Sequence, residues 1–410
     1  MRAVNGLTSR WAATASGDRG TVFSAPGVWP LLAFLADGAD GEARTELADA
    51  VGCRADEAAA AARELLAAMD RVRGLDAALG LWTRRTLTLR DAWRDGVPVD
   101  ALGVLTGDPG KDGAALDAWA AERTGGQIER MPAGLTPDTE LVLASALALH
   151  TDWEVPFERR RTEPDAGPWR GLRIAGLQRS TPGPDAVQIG RSPTGRVTGV
   201  ALRGTAEVDV HLLLGEAHMG PGEVLTTGVG MVAGDVPATP GTELLLRGDL
   251  PLHADLPLHG GLPRSPAGPG VVLRETRTDE PEEAPQVTLS TVEFSLGAEH
   301  DLRVPPGLFG LETACASPPG SFPGISDRAL AVESARQSAT ATFGATGFRS
   351  AAATAVAMDW MGLPSHVTTE LAVTVDRPFG FLAVHRASRL VLTAGWVTDP
   401  EPYREDEDHH

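Results

Sequence analysis

The run Gly347-Phe348-Arg349-Ser350-Ala351-Ala352-Ala353-Thr354-Ala355-Val356, which leads on to Asp359 and Pro364, is the stretch on which the reading of this chain turns. Ser350 to Ala355 offers only small side chains, and alanine is the best helix former, so composition alone favours a surface helix there. Its neighbours argue the other way. Downstream, Asp359 to Pro364 breaks any helix; upstream, Ala339 to Phe343 alternates as a strand does. The order strand, small-residue segment, turn, strand is unusual, and on these residues alone helix and exposed loop both stay open.

The rest of the chain narrows the setting. At 410 residues it is long enough for two or three domains or for one large mixed domain, and 42% hydrophobic with 22% charged residues supports a sizeable core without staples. There are 55 acidic residues against 36 basic ones, almost all of the latter arginine, and the net charge of -19 repels a phosphate backbone, so nucleic acid is not expected as a partner. The acidic end Glu401 to Asp408 reads as a solvated, disordered tail covering 401–410, with His409 and His410 as a tag remnant rather than metal ligands. Cys53 and Cys315 lack zinc spacing and read as buried free thiols. Met1 to Trp11 has no continuous apolar run and no stretch reaches the length of a membrane span. No membrane partner is expected, and a cytoplasmic location follows unless the chain is a mature or otherwise exported form.

Helices come first. Val28 to Leu35 is apolar, Ala43 to Val51 and Ala55 to Met69 are rich in helix formers, Gly38 and Gly52 fit helix ends, and Ala114 to Thr124 closes on Gly125-Gly126. Ala77 to Trp82 reads as a strand. From Glu140 onward strands dominate: Leu141 to Leu149, Val197 to Leu202, Ala206 to Leu214, Val271 to Arg277, Gln286 to Leu296, Ala339 to Phe343 and Leu371 to Val375. Pro164 to Pro184 and Pro251 to Gly270 read as long loops. The sum is an α+β fold round a large mixed sheet.

Catalytic signatures are missing: there is no nucleophile elbow, no phosphate-cradling loop and no His-Glu zinc helix. Gly228-Val229-Gly230 with Gly234 reads as a loop, His211 and His218 match no metal motif, and the scattered carboxylates define no acid/base pair. No catalytic residue, cofactor or metal is implied, and the chain is not read as an enzyme.

Several separated motifs recur in a known order. Ser24 to Gly41 ends Ala36-Asp37-Gly38-Ala39-Asp40-Gly41; Asp117 and Trp119 precede Thr124-Gly125-Gly126-Gln127-Ile128; Leu141 to Phe157 keeps Ala146, Trp153, Pro156 and Phe157; and Phe322-Pro323-Gly324-Ile325-Ser326 precedes Asp376-Arg377-Pro378-Phe379 with Gly395 and Pro400. This pattern resembles the serpin family, in a bacterial-type member, along nearly the whole chain. Ala25 and Gly27 stand where the family usually has Pro and a second Ser, Asp117 and Ser145 where it has Asn, Gln337 where it has His, Ala345 where it has the hinge Glu, and Phe348 where it has Thr, Ser or Val.

The resemblance implies a single serpin domain over 1–400 with a reactive-centre loop at about 345–368. Such a loop is attacked as a substrate by a serine protease, which becomes acylated and is carried off as the cut loop inserts as a strand into the central sheet. About a dozen inserted residues at about 0.5–1.5 kcal/mol per net hydrogen bond give on the order of 10 kcal/mol, so the uncut form is held kinetically. The implied hinge is Gly347, Phe348, Arg349, Ser350, Ala351, Ala352, Ala353 and Thr354, with Gly347 permitting backbone rotation and Phe348 slowing insertion by overpacking. The implied scissile bond is Met361-Gly362, with Trp360 and Leu363 as alternatives, which suits an elastase-, chymotrypsin- or subtilisin-like protease. Ser24, Gly27, Ser145, Trp153 and Gln337 are assigned to the region where the sheet opens. A monomer able to polymerise by loop insertion is expected, and a non-inhibitory carrier or protease substrate is the alternative.

Overall fold

Helix α1 (Arg2–Ala12) and strand β1 (Thr21–Phe23) lead to α2 (Ala25–Gly38), α3 (Gly41–Val51) and α4 (Ala55–Met69), then β2 (Leu75–Arg84), α5 (Asp91–Arg94), β3 (Leu102–Leu105) and α6 (Pro109–Arg123). There follow β4 (Leu141–Leu149), β5 (Thr151–Asp152), β6 (Glu158–Thr162), β7 (Ile174–Pro182), β8 (Val187–Ser192), β9 (Gly195–Arg203), β10 (Val208–Gly215), α7 (Pro221–Ala233), β11 (Ala238–Pro240) and α8 (Gly241–Arg247). The last part holds β12 (Pro266–Gly268), β13 (Val271–Thr278), β14 (Gln286–Val292), β15 (Phe294–Asp301), α9 (Pro306–Phe309), β16 (Ser334–Phe343), β17 (Gly347–Phe348), β18 (His366–Thr374), β19 (Phe379–His385) and β20 (Leu390–Val397). This computed structural model describes residues 1–247, 266–278, 285–315, 322–348 and 366–404.

Local chemistry explains the helix starts. Ser24 accepts the Gly27 N–H at the head of α2, and the Asp108 carboxylate accepts the Gly110 and Lys111 N–H groups at the head of α6. Among the described residues the strands form three sheets, the central one mixed, in keeping with the expected α+β fold. The central one runs β3-β2-β4-β16-β17-β5 with β15 on β16; the second runs β1-β20-β19-β10-β9-β8-β11; the third runs β12-β13-β18-β14-β7-β6. Every residue of β4 is buried because both faces of the central sheet are covered there. Val142, Ala144 and Ala146 lie in a small core with Trp82, Leu116 and Ala120, while Leu141, Leu143 and Leu147 face the main core. A strand covered on both faces reads as an unbroken apolar run, as Leu141–Leu149 does.

Four expectations need correction. The stretch 164–184 is no long loop, since β7 occupies its second half. Gly228 to Gly230 lie inside α7, which ends at Gly234 with φ 82°. Small residues there let the helix press on the second sheet: a Cβ on Gly228 would stand 2.1 Å from Leu213 Cδ1. The run 286–296 is two strands, broken at Glu293, which serve the third and the central sheets in turn. The ordered chain also continues past 400. The Glu401 N–H donates to Glu293, the Glu401 carbonyl accepts from Ala175, and the Tyr403 N–H donates to Arg173; 405–410 lie outside the described residues. So does most of 251–270, whose end is β12.

Candidate functional site

Two strands far apart in sequence meet in the middle of the central sheet. Residues Ser334 to Ala339 of β16 pair in parallel with Val142 to Leu147 of β4. Beyond this ladder the strands part. β16 runs on to Phe343, the Gly344 N–H donates to the Gly347 carbonyl, and β17 returns antiparallel with Phe348 opposite Phe343. On its other side β17 pairs with β5, Gly347 opposite Asp152 and Phe348 opposite Thr151. The first two residues after the turn thus already form a strand in the opening between β16 and β5.

Side chains hold that start in place. The Trp153 indole N–H donates to the Gly344 carbonyl at 2.9 Å, the Trp153 backbone N–H to Thr346 at 3.0 Å, and the Phe157 N–H to Ala345 at 2.8 Å. Ala345, where the resemblance leads one to expect a glutamate, therefore works through its backbone. Phe348 is 1% exposed and its ring lies 5.7 Å from Phe381, in a cluster that Phe294, Phe343 and Phe379 continue. The aromatic floor matches the Phe348 side chain, so the ring expected to impede insertion is already seated. Gly347 also acts differently from expectation. Its φ is not in the left-handed range, but a Cβ there would lie 2.6 Å from the Thr151 carbonyl oxygen and 3.0 Å from Asp152 Cα. Space, not rotation, demands glycine.

A second cluster lies lower, under the paired part of β4 and β16. Gln337 and Ser145 are direct partners across the ladder. The Ser24 N–H donates to Gln337 Oε1 at 2.8 Å, and Gln337 Nε2 donates to the Ser24 carbonyl at 2.8 Å and to Ser145 Oγ at 3.3 Å. Ser24 Oγ donates to Leu392 at 2.7 Å, tying the cluster to β20. A Cβ on Gly27 would come within 2.7 Å of Ser145 Oγ and 3.2 Å of Gln337 Nε2, so the serine usual in the family has no room. Four of the five residues assigned to the opening region therefore meet. Trp153 does not: it belongs to the upper cluster, where its ring packs on Phe343 at 5.0 Å.

Sequence reasoning missed His300. It lies beside Gln337 on β15, donates from Nε2 to the Val22 carbonyl at 2.9 Å, and packs on Trp11 at 5.1 Å; burial lowers its pKa. Phe294 and Phe381 were missed as well, their only signal being aromatics at alternate strand positions. Arg349, Ser350, Ala351, Ala352, Ala353, Thr354, Trp360, Met361, Gly362 and Leu363 lie outside the described residues. The His211 pKa is pushed down to about 4 by burial. The Cys315 thiol is pushed up to about 11, again mainly by burial, and both cysteines are free. Among the described residues no three His, Cys, Asp or Glu side chains gather as a metal site, and no helix is long and apolar enough to cross a membrane.

Two substitutions probe the clusters. Gln337→Leu strands the Ser24 N–H and carbonyl without partners in a dry site, a loss of about 1–3 kcal/mol for each group, and should lower the thermal unfolding midpoint; an unchanged midpoint rejects the assignment. Gly347→Ala should expel β17 and speed proteolysis of the adjoining loop severalfold, whereas an unaltered cleavage rate shows that the close approach at Thr151 is not what holds the hinge.

The profile of the family described as Serpin (serine protease inhibitor) matches residues 7–166 and 272–400. A rice protein (Oryza sativa subsp. japonica) named putative serpin-Z6C is 30% identical over 181 residues, 40% of this chain and 44% of its own length. The aligned part thus spans less than half of that relative. Among solved structures, the thermophilic serpin tengpin in its native state superposes with a TM-score of 0.71 at 13% identity, covering 97% of this chain and 92% of the other. A serpin from the trematode Schistosoma haematobium gives 0.68 at 12% identity, covering 97% and 99%. With three sheets in this arrangement and a family profile that matches well over half its length, the chain has the serpin fold and belongs to the serpin family.

Proposed function

We propose that this chain inhibits serine proteases as a suicide substrate, and one observation carries the reading: β17 is already seated between β5 and β16, directly above a ladder that a longer strand can replace. Phe348 lies opposite both Phe343 and Thr151. Continued in either register, the strand brings Thr354 opposite both Gln337 and Ser145, which are partners of each other. Ala335, Gln337, Ala339, Ala341 and Phe343 alternate along one face of β16, and all five are buried. Cross-strand partners share a face, so Ser350, Ala352, Thr354 and Val356 would point into the core. Arg349, Ala351, Ala353 and Ala355 would point outward. Small side chains, two of them bearing hydroxyls, then enter the space between β4 and β16, and the Thr354 hydroxyl meets the polar pair.

The chemistry is that of an interrupted hydrolysis. The protease serine oxygen attacks the carbonyl carbon of Met361, the peptide bond breaks, and the Gly362 amine leaves with the proton taken from that serine. An ester joins Met361 to the protease. β16 begins at Ser334, and Ala357 falls opposite it in the continued register, so Met361 is carried just beyond the far end of the sheet. The inserted strand makes ladders on both sides where there was one. At about 0.5–1.5 kcal/mol per net hydrogen bond, this yields on the order of 10 kcal/mol. A methionine at the scissile position directs the inhibitor to elastase-, chymotrypsin- or subtilisin-like proteases. We read the active form as a monomer, and loop insertion into a neighbour as its route to polymers. We also read the chain as a bacterial-type member of the family.

Incubation with subtilisin or chymotrypsin should give a covalent complex that survives SDS; loop cleavage with full protease activity would instead favour a non-inhibitory carrier or substrate. Met361→Asp should abolish inhibition of these enzymes, and unchanged kinetics would move the scissile bond to Trp360 or Leu363.

A further inference from the structure

Strand β18 starts at His366, directly after the bait loop, yet it is not an edge strand. β13 covers one side of it antiparallel, from Val271 opposite Val373 to Thr278 opposite His366. β14 covers the other side in parallel, from Gln286 opposite Glu370 to Ser290 opposite Thr374. The hairpin of β12 and β13 is itself fastened to the second sheet. Thr198 Oγ donates to the Pro269 carbonyl at 2.8 Å and Arg196 donates to Ala267 at 3.3 Å, while within the third sheet the Thr374 N–H donates to Gly270 at 2.9 Å. Arg196 is held in turn by Glu216 at 2.9 Å. Val271 and Leu273 are buried against Val373 and Leu371.

Chain length shows what this covering does. A loop inserted in register from the row of Phe343 to the row of Ser334 descends about 30 Å at ~3.3 Å per residue. If the loop is uncut, only residues 358–365 remain between Ala357 and His366, and these nine Cα steps span at most about 32 Å fully extended, which the climb back to the row of Phe343 alone nearly exhausts. His366 is farther away still. β14 runs toward β15, whose Phe294 pairs with Phe343, and β18 lies parallel to β14, so His366 is at the end of β18 remote from the central sheet. An uncut loop can therefore insert fully only if β18 is stripped from its sheet. Cleavage at Met361-Gly362 removes that requirement.

We infer that the hairpin of β12 and β13 is a lock: by pairing the otherwise free side of β18 and tying it to the second sheet, it holds the loop out of the central sheet until the loop is cut. This rests on the insertion reading above. Breaking two ladders together is a cooperative event, whereas an edge strand peels one bond pair at a time.

The experiment compares uncut protein held some degrees below its melting temperature, scored over time for conversion to a form with a raised unfolding midpoint and a protease-resistant loop. Leu273→Pro, which interrupts the β13 ladder, should convert at least ten-fold faster than the wild type. Val272→Cys with Ala372→Cys places a disulfide between directly opposed residues, and its oxidised form should convert at least ten-fold more slowly than its reduced form, which decides the matter if the proline variant does not fold. Equal rates in these comparisons overturn the lock. A separate arm cuts the loop first: a raised midpoint in the wild type supports insertion, and no rise overturns the insertion reading itself, whatever the conversion rates are.

Discussion

Between β4 and β16 the central sheet keeps a parallel pairing which, on the function proposed above, a better one replaces. The two strands run parallel, and parallel ladders are slightly weaker per residue than antiparallel ones. A strand continuing from β17 would be antiparallel to both neighbours, as β17 already is to β16 and β5. One weaker ladder would thereby become two stronger ones. A folded state built this way need not be the most stable arrangement of its own chain, and its lifetime is then set by the barrier to opening.

That barrier has a polar and an aromatic part, at different heights of the same seam. At Ser24, Gln337 satisfies both backbone groups of a buried residue and reaches Ser145 across the ladder. Parting the strands breaks this network in a dry interior, where unpaired groups are expensive. Higher up, Phe348 rests on an aromatic cluster, and Trp153, Phe157 and the backbone of 344–346 hold the turn. Gln337 bonds as well as the usual histidine does but cannot titrate near neutral pH. The titratable imidazole lies instead on the neighbouring strand, at His300, against the Val22 carbonyl just ahead of Ser24.

Beyond the loop, the third sheet imposes a different constraint. β18 is paired on both sides, by β13 and β14, which on the inference above keeps it from shifting singly. The β12 turn, buried against Ile189 and Thr198, ties the third sheet to the second.

Much of this was legible beforehand. Helices at 43–51 and 55–69, the buried strand 141–149, and the meeting of Ser24, Gly27, Ser145 and Gln337 follow from periodicity and from motifs whose order survives even where the residues differ. Four readings failed for a common reason. Gly228 to Gly230 sit in a helix because Leu213 crowds them, and 286–296 divides because two sheets compete for it. Trp153 belongs to the upper cluster because Gly344 turns there, and Gly347 is glycine because Thr151 lies across from it. The sequence by itself determined most of the helices and strands among the described residues, since helical and strand periods are local quantities. Only the tertiary structure decided that β17 is already seated, that Phe348 has a pocket and that β18 is covered on both sides, because each depends on contacts between residues tens to hundreds of positions apart.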